Sequence, residues 1–242
     1  MSNPAFQFSH HNQVHDNVWD AVDAYTLPHS HPSSRPNTAA LTHALVASKD
    51  AGLPDISASP AQAKFMALFV RAANVTHALE VGTLGGYSAI WLASENPQLH
   101  LTTVEFDAHH VAVARANIAF AGLTDRIDVI HGAGVDVLAK LKGEVLAGTR
   151  PRFGFVFIDA DKTNNWNYFD LAADMALPRA TIVVDNVVRG GRLVDENSQQ
   201  LPQIQGAREV VEKVGRDARA DSVVLQTVGE KSYDGWLWAV VN

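Results

Sequence analysis

Seven short apolar runs rich in β-branched residues alternate with helical segments from Thr76 onward, and this alternation limits the possible folds more than any other feature. The runs are Ala78–Val81, Leu99–Val104, Ile127–Ile130, Phe155–Ile158, Thr181–Val184, Val223–Val228 and Trp236–Val241. Such alternation is typical of βαβ units and a parallel sheet. The last two runs are joined by residues 229–235, too few for the ~12-residue crossover of a parallel pair. We therefore expect an α/β fold with a doubly wound, mostly parallel seven-stranded sheet that ends in an antiparallel hairpin.

Two helical patterns precede the sheet, at Thr38–Ala51 and Pro60–Ala73, and Ser59 is a suitable N-cap for the second. We expect one domain over residues 37–242, because α/β folds of this length commonly have a single core. Residues 1–36 are predicted to form an arm with a short amphipathic stretch, Val14–Leu27. The arm carries five histidines, which are His10, His11, His15, His29 and His31. Their spacing matches no closed metal site, so a solvated or dimer-packing arm is favoured over a ligand set.

Composition narrows the classes of partner. The formal net charge of −7 and the pI near 5.8 disfavour binding to nucleic acid or to an anionic membrane surface. The absence of cysteine excludes disulfides, thiolate metal sites and cysteine nucleophiles. No apolar stretch approaches the ~18 residues of a membrane span, and the N-terminus has no secretory signal pattern. We expect a cytoplasmic protein without a polyanionic partner.

A glycine-rich turn follows the first predicted strand. The segment reads Glu80-Val-Gly-Thr-Leu-Gly-Gly-Tyr-Ser88, and a helix begins after it. Glycines there let the backbone turn sharply and approach a ligand closely. The dinucleotide fingerprint is G-x-G-x-x-G, whereas this loop spaces its glycines G-x-x-G-G. A nicotinamide-dependent enzyme is therefore disfavoured.

Two further strand ends favour a nucleoside site. Glu105 ends the second predicted strand, where a carboxylate can accept hydrogen bonds from both hydroxyls of a ribose. After the third strand, Gly132-Ala-Gly134 could leave room for an adenine ring beside Asp136, or could be an ordinary βα turn. Gly82 and Glu105 together favour a ligand site over a purely structural turn.

Oxygen-bearing side chains follow the fourth and fifth strands. The fourth runs into Asp159-Ala-Asp161-Lys162, and the fifth runs into Asp185-Asn186. Ligands in open α/β sheets bind outside the carboxyl ends of the strands, so these side chains are predicted to converge. Carboxylate and amide oxygens are the ligands that Mg²⁺ or Ca²⁺ prefers. A metal site is favoured, and the alternative is that these residues only cap the following helices.

These motifs, together with Glu105-Phe-Asp107, Phe157-Ile-Asp159, Val184-Asp185-Asn186-Val187 and Tyr233-Asp-Gly235, resemble the cation-dependent O-methyltransferases. That group contains the caffeoyl-CoA and catechol O-methyltransferases, and the resemblance covers roughly residues 56–242. It implies a Rossmann-like class I methyltransferase fold, S-adenosylmethionine as cofactor, and often a homodimer. It also implies a divalent cation, Mg²⁺ first with Ca²⁺ or Mn²⁺ as alternatives, that chelates two vicinal hydroxyls.

The resemblance also implies roles for individual residues. Asp159, Asp185 and Asn186 match the metal ligands, and Lys162 matches the lysine beside the reacting oxygen. The positions that match cofactor contacts are Glu80, Gly82, Thr83, Ser88, Glu105, Gly134 and Asp161.

The implied chemistry begins with a phenol, whose pKa of ~10 must fall for it to become a nucleophile near neutral pH. A cation stabilises the phenolate, and Lys162 either takes the proton, stabilises the negative oxygen, or only pairs with Asp159. Arg189 and Arg192 follow the metal ligands and either bind a substrate carboxylate or lie in a solvated turn.

The expected acceptor is a catechol-type phenolic compound. A CoA thioester is less favoured, because its phosphates need a basic cluster and residues 1–60 hold only Arg35 and Lys49. Two other functions stay open at this point: a nucleotide-dependent oxidoreductase on the same sheet, and a non-catalytic protein that binds S-adenosylmethionine or a nucleotide.

Overall fold

The structure is a computed structural model that describes residues 16–242. The helices are α1 Asn17–Ser30, α2 Thr38–Asp50, α3 Pro60–Ala72, α4 Tyr87–Glu95, α5 Ala108–Phe120, α6 Gly134–Leu146, α7 Asn165–Met175 and α8 Pro202–Val214. The strands are β1 His77–Val81, β2 His100–Glu105, β3 Ile127–His131, β4 Phe153–Ile158, β5 Ala176–Val184, β6 Ala220–Thr227 and β7 Asp234–Val241. Single turns of 3₁₀ helix occupy Lys162–Asn164, Arg192–Val194 and Glu196–Ser198.

The seven strands form one sheet in the order β3-β2-β1-β4-β5-β7-β6. Strands β1 to β5 pair parallel with one another, whereas β7 pairs antiparallel with both β5 and β6. The predicted fold class and the C-terminal hairpin are therefore confirmed. The strand order reverses between β1 and β4, and ligands of such sheets bind at this switch point.

Both faces of the central strands are covered, which explains why their sequences are apolar throughout rather than alternating. One face packs against α2, α3, α4 and α5 around Trp91 and Phe157. The other face packs against α6, α7 and α8 around Phe153 and Phe169. Each strand therefore ends between two helical layers, and the polar residues that follow it emerge at the edge of the sheet.

The predicted start of α3 is confirmed in detail. Ser59 accepts a hydrogen bond from the backbone N–H of Gln62, and the Gln62 side chain returns a contact to the Ser59 backbone. This capping box, with Pro60 in the first turn, explains why the helix begins there.

The N-terminal arm is less solvated than its composition suggested. Helix α1 has no buried residue, but the side chain of His31 just after it is only 7% exposed. Its ring packs on Trp91 with ring centroids 4.4 Å apart, and its Nδ1 lies 3.4 Å from Nζ of Lys64. His31 is thus an exception within the predicted solvated or dimer-packing arm, because its ring packs inside its own chain. His10, His11 and His15 lie outside the described residues.

A buried carboxylate draws the end of the arm onto the domain. The Glu95 side chain is 2% exposed and forms ion pairs with Arg35 at 2.6 Å, Lys64 at 3.2 Å and Arg71 at 2.5 Å. Burial alone would raise the pKa of Glu95, but hydrogen bonds from these cations lower it to about 2. We call Glu95 and these three partners the Glu95 cluster.

Within residues 16–242, no helix has the length and apolar character to cross a bilayer.

Candidate active site

The carboxyl ends of β1, β2, β4 and β5 meet at one edge of the sheet, as the strand order requires. Ile158 and Val184 are partners in the β4–β5 register, so Asp159 and Asp185 leave the sheet side by side. The backbone N–H of Asp185 still donates to the carbonyl of Ile158 at 2.9 Å, which extends this pairing past the strand. The predicted convergence of the two strand ends is therefore present.

The glycine-rich loop adopts a conformation that its sequence makes possible. Gly82 has φ +97°, and a Cβ at this position would overlap the backbone carbonyl of Asp159. Leu84 and Gly86 also have positive φ, at 49° and 82°. A side chain at residue 82 would push the loop away from β4, so this glycine brings the loop against the strand end that carries Asp159.

Glu105 holds the same loop from the opposite side. Its Oε2 accepts hydrogen bonds from the backbone N–H groups of Thr83 at 3.1 Å and Leu84 at 2.8 Å, and its Oε1 accepts that of Asp107 at 3.0 Å. A carboxylate has about four acceptor positions and these N–H groups fill three of them, so one position on Oε1 remains for a ribose hydroxyl. Phe106, the next residue, is 74% exposed at this edge.

A hydrogen-bonded chain of polar side chains lies beneath the loop. Glu80 is fully buried and accepts from Ser88 Oγ and from Thr103 Oγ1, each at 2.6 Å. Since the hydroxyl proton of Thr103 points to Glu80, Thr83 Oγ1 donates to Thr103 at 2.6 Å. Burial raises the pKa of Glu80 to about 7, and these hydrogen bonds oppose that shift. Three predicted cofactor residues, Glu80, Thr83 and Ser88, thus belong to one network that supports the loop.

Gly134 and Asp161 are linked through a residue that sequence analysis missed. The Tyr168 hydroxyl donates to Oδ1 of Asp161, and Asn164 Nδ2 donates to Oδ2 at 2.6 Å. A Cβ at Gly134 would lie only 2.7 Å from the Tyr168 ring. The buried ring of Tyr168 therefore needs a glycine at the start of α6 and orients the carboxylate of Asp161.

The predicted metal ligands form a compact acidic group. Asp185 is 4% exposed and its Oδ1 accepts the backbone N–H of Asn186 at 2.7 Å. Burial first, and then the charge of Asp159, raise the pKa of Asp185 to about 7. Lys162 Nζ donates to Oδ1 of Asp159 at 2.7 Å. Asn186 has φ 57°, a left-handed conformation that asparagine tolerates better than most residues.

A third acidic residue, Asp234 at the start of β7, lies within hydrogen-bonding distance of Asn186. The carboxyl groups of Asp159 and Asp234 and the ammonium of Lys162 thus lie near enough to the Asp185 carboxyl to act on its charge. Two carboxylates and an amide oxygen with excess negative charge are a donor set that fits a hard divalent cation. In the part of the chain that is described, no group of three His, Cys, Asp or Glu side chains is placed to hold a metal ion.

The two arginines of the following loop are both half-buried. Arg189 has φ 57°, and its Nε is enclosed without a hydrogen-bond partner among the described residues. Arg192 Nε donates to the backbone carbonyl of Arg189 at 3.0 Å. Gly190 and Gly191, at φ 65° and 84°, form the turn between them. The loop adjoins the acidic group, but its arginine side chains are more enclosed than those of a solvated turn.

The sequence and fold can be compared with known proteins at this point. The sequence model described as "O-methyltransferase" matches residues 33–232. The chain is 54% identical over 228 residues to O-methyltransferase imqG of Aspergillus flavus, which covers 94% of this chain and 92% of that protein. It is 43% identical over 194 residues to a catechol O-methyltransferase of Niastella koreensis, covering 80% and 86%. A catechol O-methyltransferase of Mycobacterium tuberculosis is 41% identical over 204 residues, covering 84% and 89%.

Solved structures agree with these relatives. An O-methyltransferase of Bacillus cereus in complex with SAH superposes with a TM-score of 0.86 at 39% identity, covering 93% of this chain and 99% of that one. The O-methyltransferase TomG of Streptomyces achromogenes, in complex with SAM, has a TM-score of 0.84 at 32% identity, covering 93% and 98%. An oxidoreductase or a non-catalytic binding protein is therefore not supported. The chain belongs to the O-methyltransferase family and is an S-adenosylmethionine-dependent O-methyltransferase.

Proposed function

We propose that the enzyme methylates one hydroxyl of a catechol-type phenol, with a divalent cation bound by Asp159, Asp185 and Asn186. The observation that carries this proposal is the side-by-side emergence of Asp159 and Asp185 from β4 and β5, with Lys162 bonded to Asp159. Two relatives named catechol O-methyltransferases, at 43% and 41% identity, support the same class of acceptor. Mg²⁺ is the cation we expect, with Mn²⁺ or Ca²⁺ as alternatives.

The cofactor side of the site is assigned to the loop and strand ends next to this acidic group. We assign the ribose to Glu105, and the rest of the cofactor to the surface formed by Gly82, Thr83, Gly134 and Asp161. Glu80 and Ser88 act from beneath through the network that supports the loop. This assignment is supported by the contact between Gly82 and the Asp159 backbone, which joins the cofactor loop to the acidic group.

The residues of the chain then have distinct roles in methyl transfer. When bound, the cation would stabilise the phenolate and orient the two vicinal oxygens. Lys162 is tied to Asp159 and only 11% of its side chain is exposed, so its ammonium is held at the acidic group rather than in bulk water. It either removes the phenol proton or stabilises the oxygen that attacks the methyl group. Because the glycine-rich loop lies against the acidic group, the methyl donor and the phenol oxygen would be held in line for transfer.

We further propose a cytoplasmic homodimer in which residues 37–242 form the methyltransferase domain and residues 1–36 an arm. The formal net charge of −7 supports a small-molecule substrate rather than nucleic acid or an anionic membrane surface. Light scattering on the purified protein would reveal the dimer, and a monomer at micromolar concentration would contradict it.

A substrate screen tests the catechol proposal. Methyl transfer from S-adenosylmethionine should occur with vicinal diphenols and be absent with matched monophenols and with 1,3-diphenols. EDTA should abolish the transfer, and Mg²⁺ or Mn²⁺ should restore it. Asp159→Asn should remove activity, whereas Asp128→Asn, at an exposed position of β3, should not. Full turnover after chelation, or equal rates for monophenols, would contradict the proposal.

A further inference from the structure

The carboxylate of Asp234 holds both Asn186 and the loop that follows it. Its Oδ2 accepts a hydrogen bond from Asn186 Nδ2 at 3.2 Å. Its Oδ1 accepts three backbone N–H groups, those of Val188 at 3.2 Å, Arg189 at 2.7 Å and Gly235 at 2.9 Å. One side chain from β7 thus ties the amide of Asn186 and the next loop to the same point.

The chemistry of this contact determines which way the amide of Asn186 faces. An amide side chain has a donating NH₂ end and an accepting oxygen, whereas a carboxylate only accepts. Asp234 therefore favours the orientation with Nδ2 toward itself. Among the residues that the structure describes, none donates to Oδ1 of Asn186, so this oxygen remains available. Only the oxygen of an amide can coordinate a hard cation.

We propose that Asp234 is a positioning residue that turns the amide oxygen of Asn186 toward the divalent cation. The inference rests on the cation of the proposed function. The backbone of Asn186 is already confined to the left-handed region, so rotation of the amide group is the main freedom that Asp234 removes. Outer partners of metal ligands act in this way by orienting the ligand.

The test compares the Kd for Mn²⁺ of the wild type with that of its variants, in the absence of cofactor and substrate. Electron paramagnetic resonance of the free ion measures this Kd. In Asp234→Asn, the new amide can still accept the loop N–H groups through its oxygen, but its NH₂ end faces Asn186. Asn186 must then turn its own oxygen away from the cation. We expect the Kd for Mn²⁺ to rise by roughly 10- to 100-fold, as for other lost outer partners.

A charge-preserving double variant separates orientation from charge and from loop structure. Asn186→Asp/Asp234→Asn keeps the total charge and gives residue 186 an oxygen on each side, one for the new NH₂ group and one for the cation. Asp and Asn both tolerate the left-handed backbone. The double variant should bring the Kd back toward the wild-type value. Asp128→Asn removes one charge from an exposed position of β3 and should leave the Kd unchanged.

The outcomes distinguish this inference from the proposed function. Wild-type affinity in Asp234→Asn, or a double variant as weak as the single one, would overturn the positioning role while leaving the cation in place. A wild-type protein that binds no Mn²⁺ would overturn the cation and the inference together. Circular dichroism of each variant shows whether it has folded.

Discussion

Asp185→Asn is expected to stabilise the protein in the absence of metal while it removes metal-dependent turnover. Asp185 is 4% exposed, and burial together with the neighbouring charge of Asp159 raises its pKa from 3.8 to about 7. The folded state therefore disfavours the ionised carboxylate, which a bound cation would compensate. Asparagine has nearly the same shape without the charge.

The sign and size of the effect follow from the two pKa values. A pKa raised by folding means that ionisation opposes folding: the penalty is absent below pH ~4, grows through pH 4 to 7, and is complete above pH ~7. A difference of about 3 units corresponds to an upper limit of about 4 kcal/mol. The new NH₂ group must find an acceptor at this buried position, which offsets part of the gain. We expect about 2 kcal/mol at pH 8, or roughly 4–8 °C in Tm.

Urea denaturation followed by circular dichroism measures this difference at pH 8 and at pH 4, with EDTA present. The variant should exceed the wild type at pH 8 and fall below it near pH 4, where the wild-type carboxyl is neutral and only the cost of the new NH₂ group remains. Mg²⁺ should raise the stability of the wild type and leave the variant unchanged, since only a state that binds the ion is stabilised by it. Asp128→Asn serves as the exposed control. A variant less stable than the wild type at pH 8 would refute the reasoning.

Three further substitutions test other parts of the structure. Glu95→Gln leaves the nearly buried ammonium of Lys64 without its anion, and should lower the free energy of unfolding by about 2–4 kcal/mol at pH 7 in urea denaturation. The control Glu209→Gln breaks the exposed ion pair with Lys213 and should lower it by less than about 1 kcal/mol. Because the pKa of Glu95 is lowered to about 2, the Glu95→Gln difference should be full above pH ~5 and shrink as the pH falls toward 2, and a constant difference would contradict the ion-pair explanation. Glu105→Ala should weaken S-adenosylmethionine binding by roughly 1–3 kcal/mol in calorimetry, and unchanged affinity would remove Glu105 from the cofactor site. Arg189→Ala and Arg192→Ala should between them lower kcat/KM for a carboxylate-bearing catechol more than for a neutral one, and equal losses would exclude charge recognition by this loop.

The sheet could be predicted because each strand is marked by a short apolar run in its own segment of the sequence. Each buried strand is an apolar run, so the periodicity placed all seven strands, and the short 229–235 connection identified the hairpin. The boundaries were less accurate where local signals conflict. Strand β5 begins at Ala176, before the predicted Thr181, although Pro178 and the positive φ of Arg179 interrupt an ordinary strand pattern. The pairing of β4 with β5 is irregular at this point, which absorbs the interruption.

Partners that are distant in sequence could not be found in the same way. Glu95 and Arg35 are 60 residues apart, and nothing in the local sequence of α4 indicates that its last residue is a buried anion. Tyr168 looks like any apolar residue on the inner face of α7, yet its hydroxyl reaches Asp161. Such contacts depend on how helices pack on the sheet, and a pattern of apolar spacing does not specify them.

The position of Asp234 could nevertheless have been inferred from topology alone. In a parallel sheet, functional residues follow the strands, because all carboxyl ends lie at one edge. Strand β7 runs antiparallel to β5, so its beginning reaches that same edge. Leu237 of β7 pairs with Val184, the last residue of β5, so the first residues of β7 lie beside the residues that follow β5. The backbone N–H of Val187 accordingly donates to the carbonyl of Gly235 at 3.0 Å. An antiparallel strand beside the last parallel one therefore contributes to the site through the residues at its start, and Tyr233-Asp-Gly235 occupies that place.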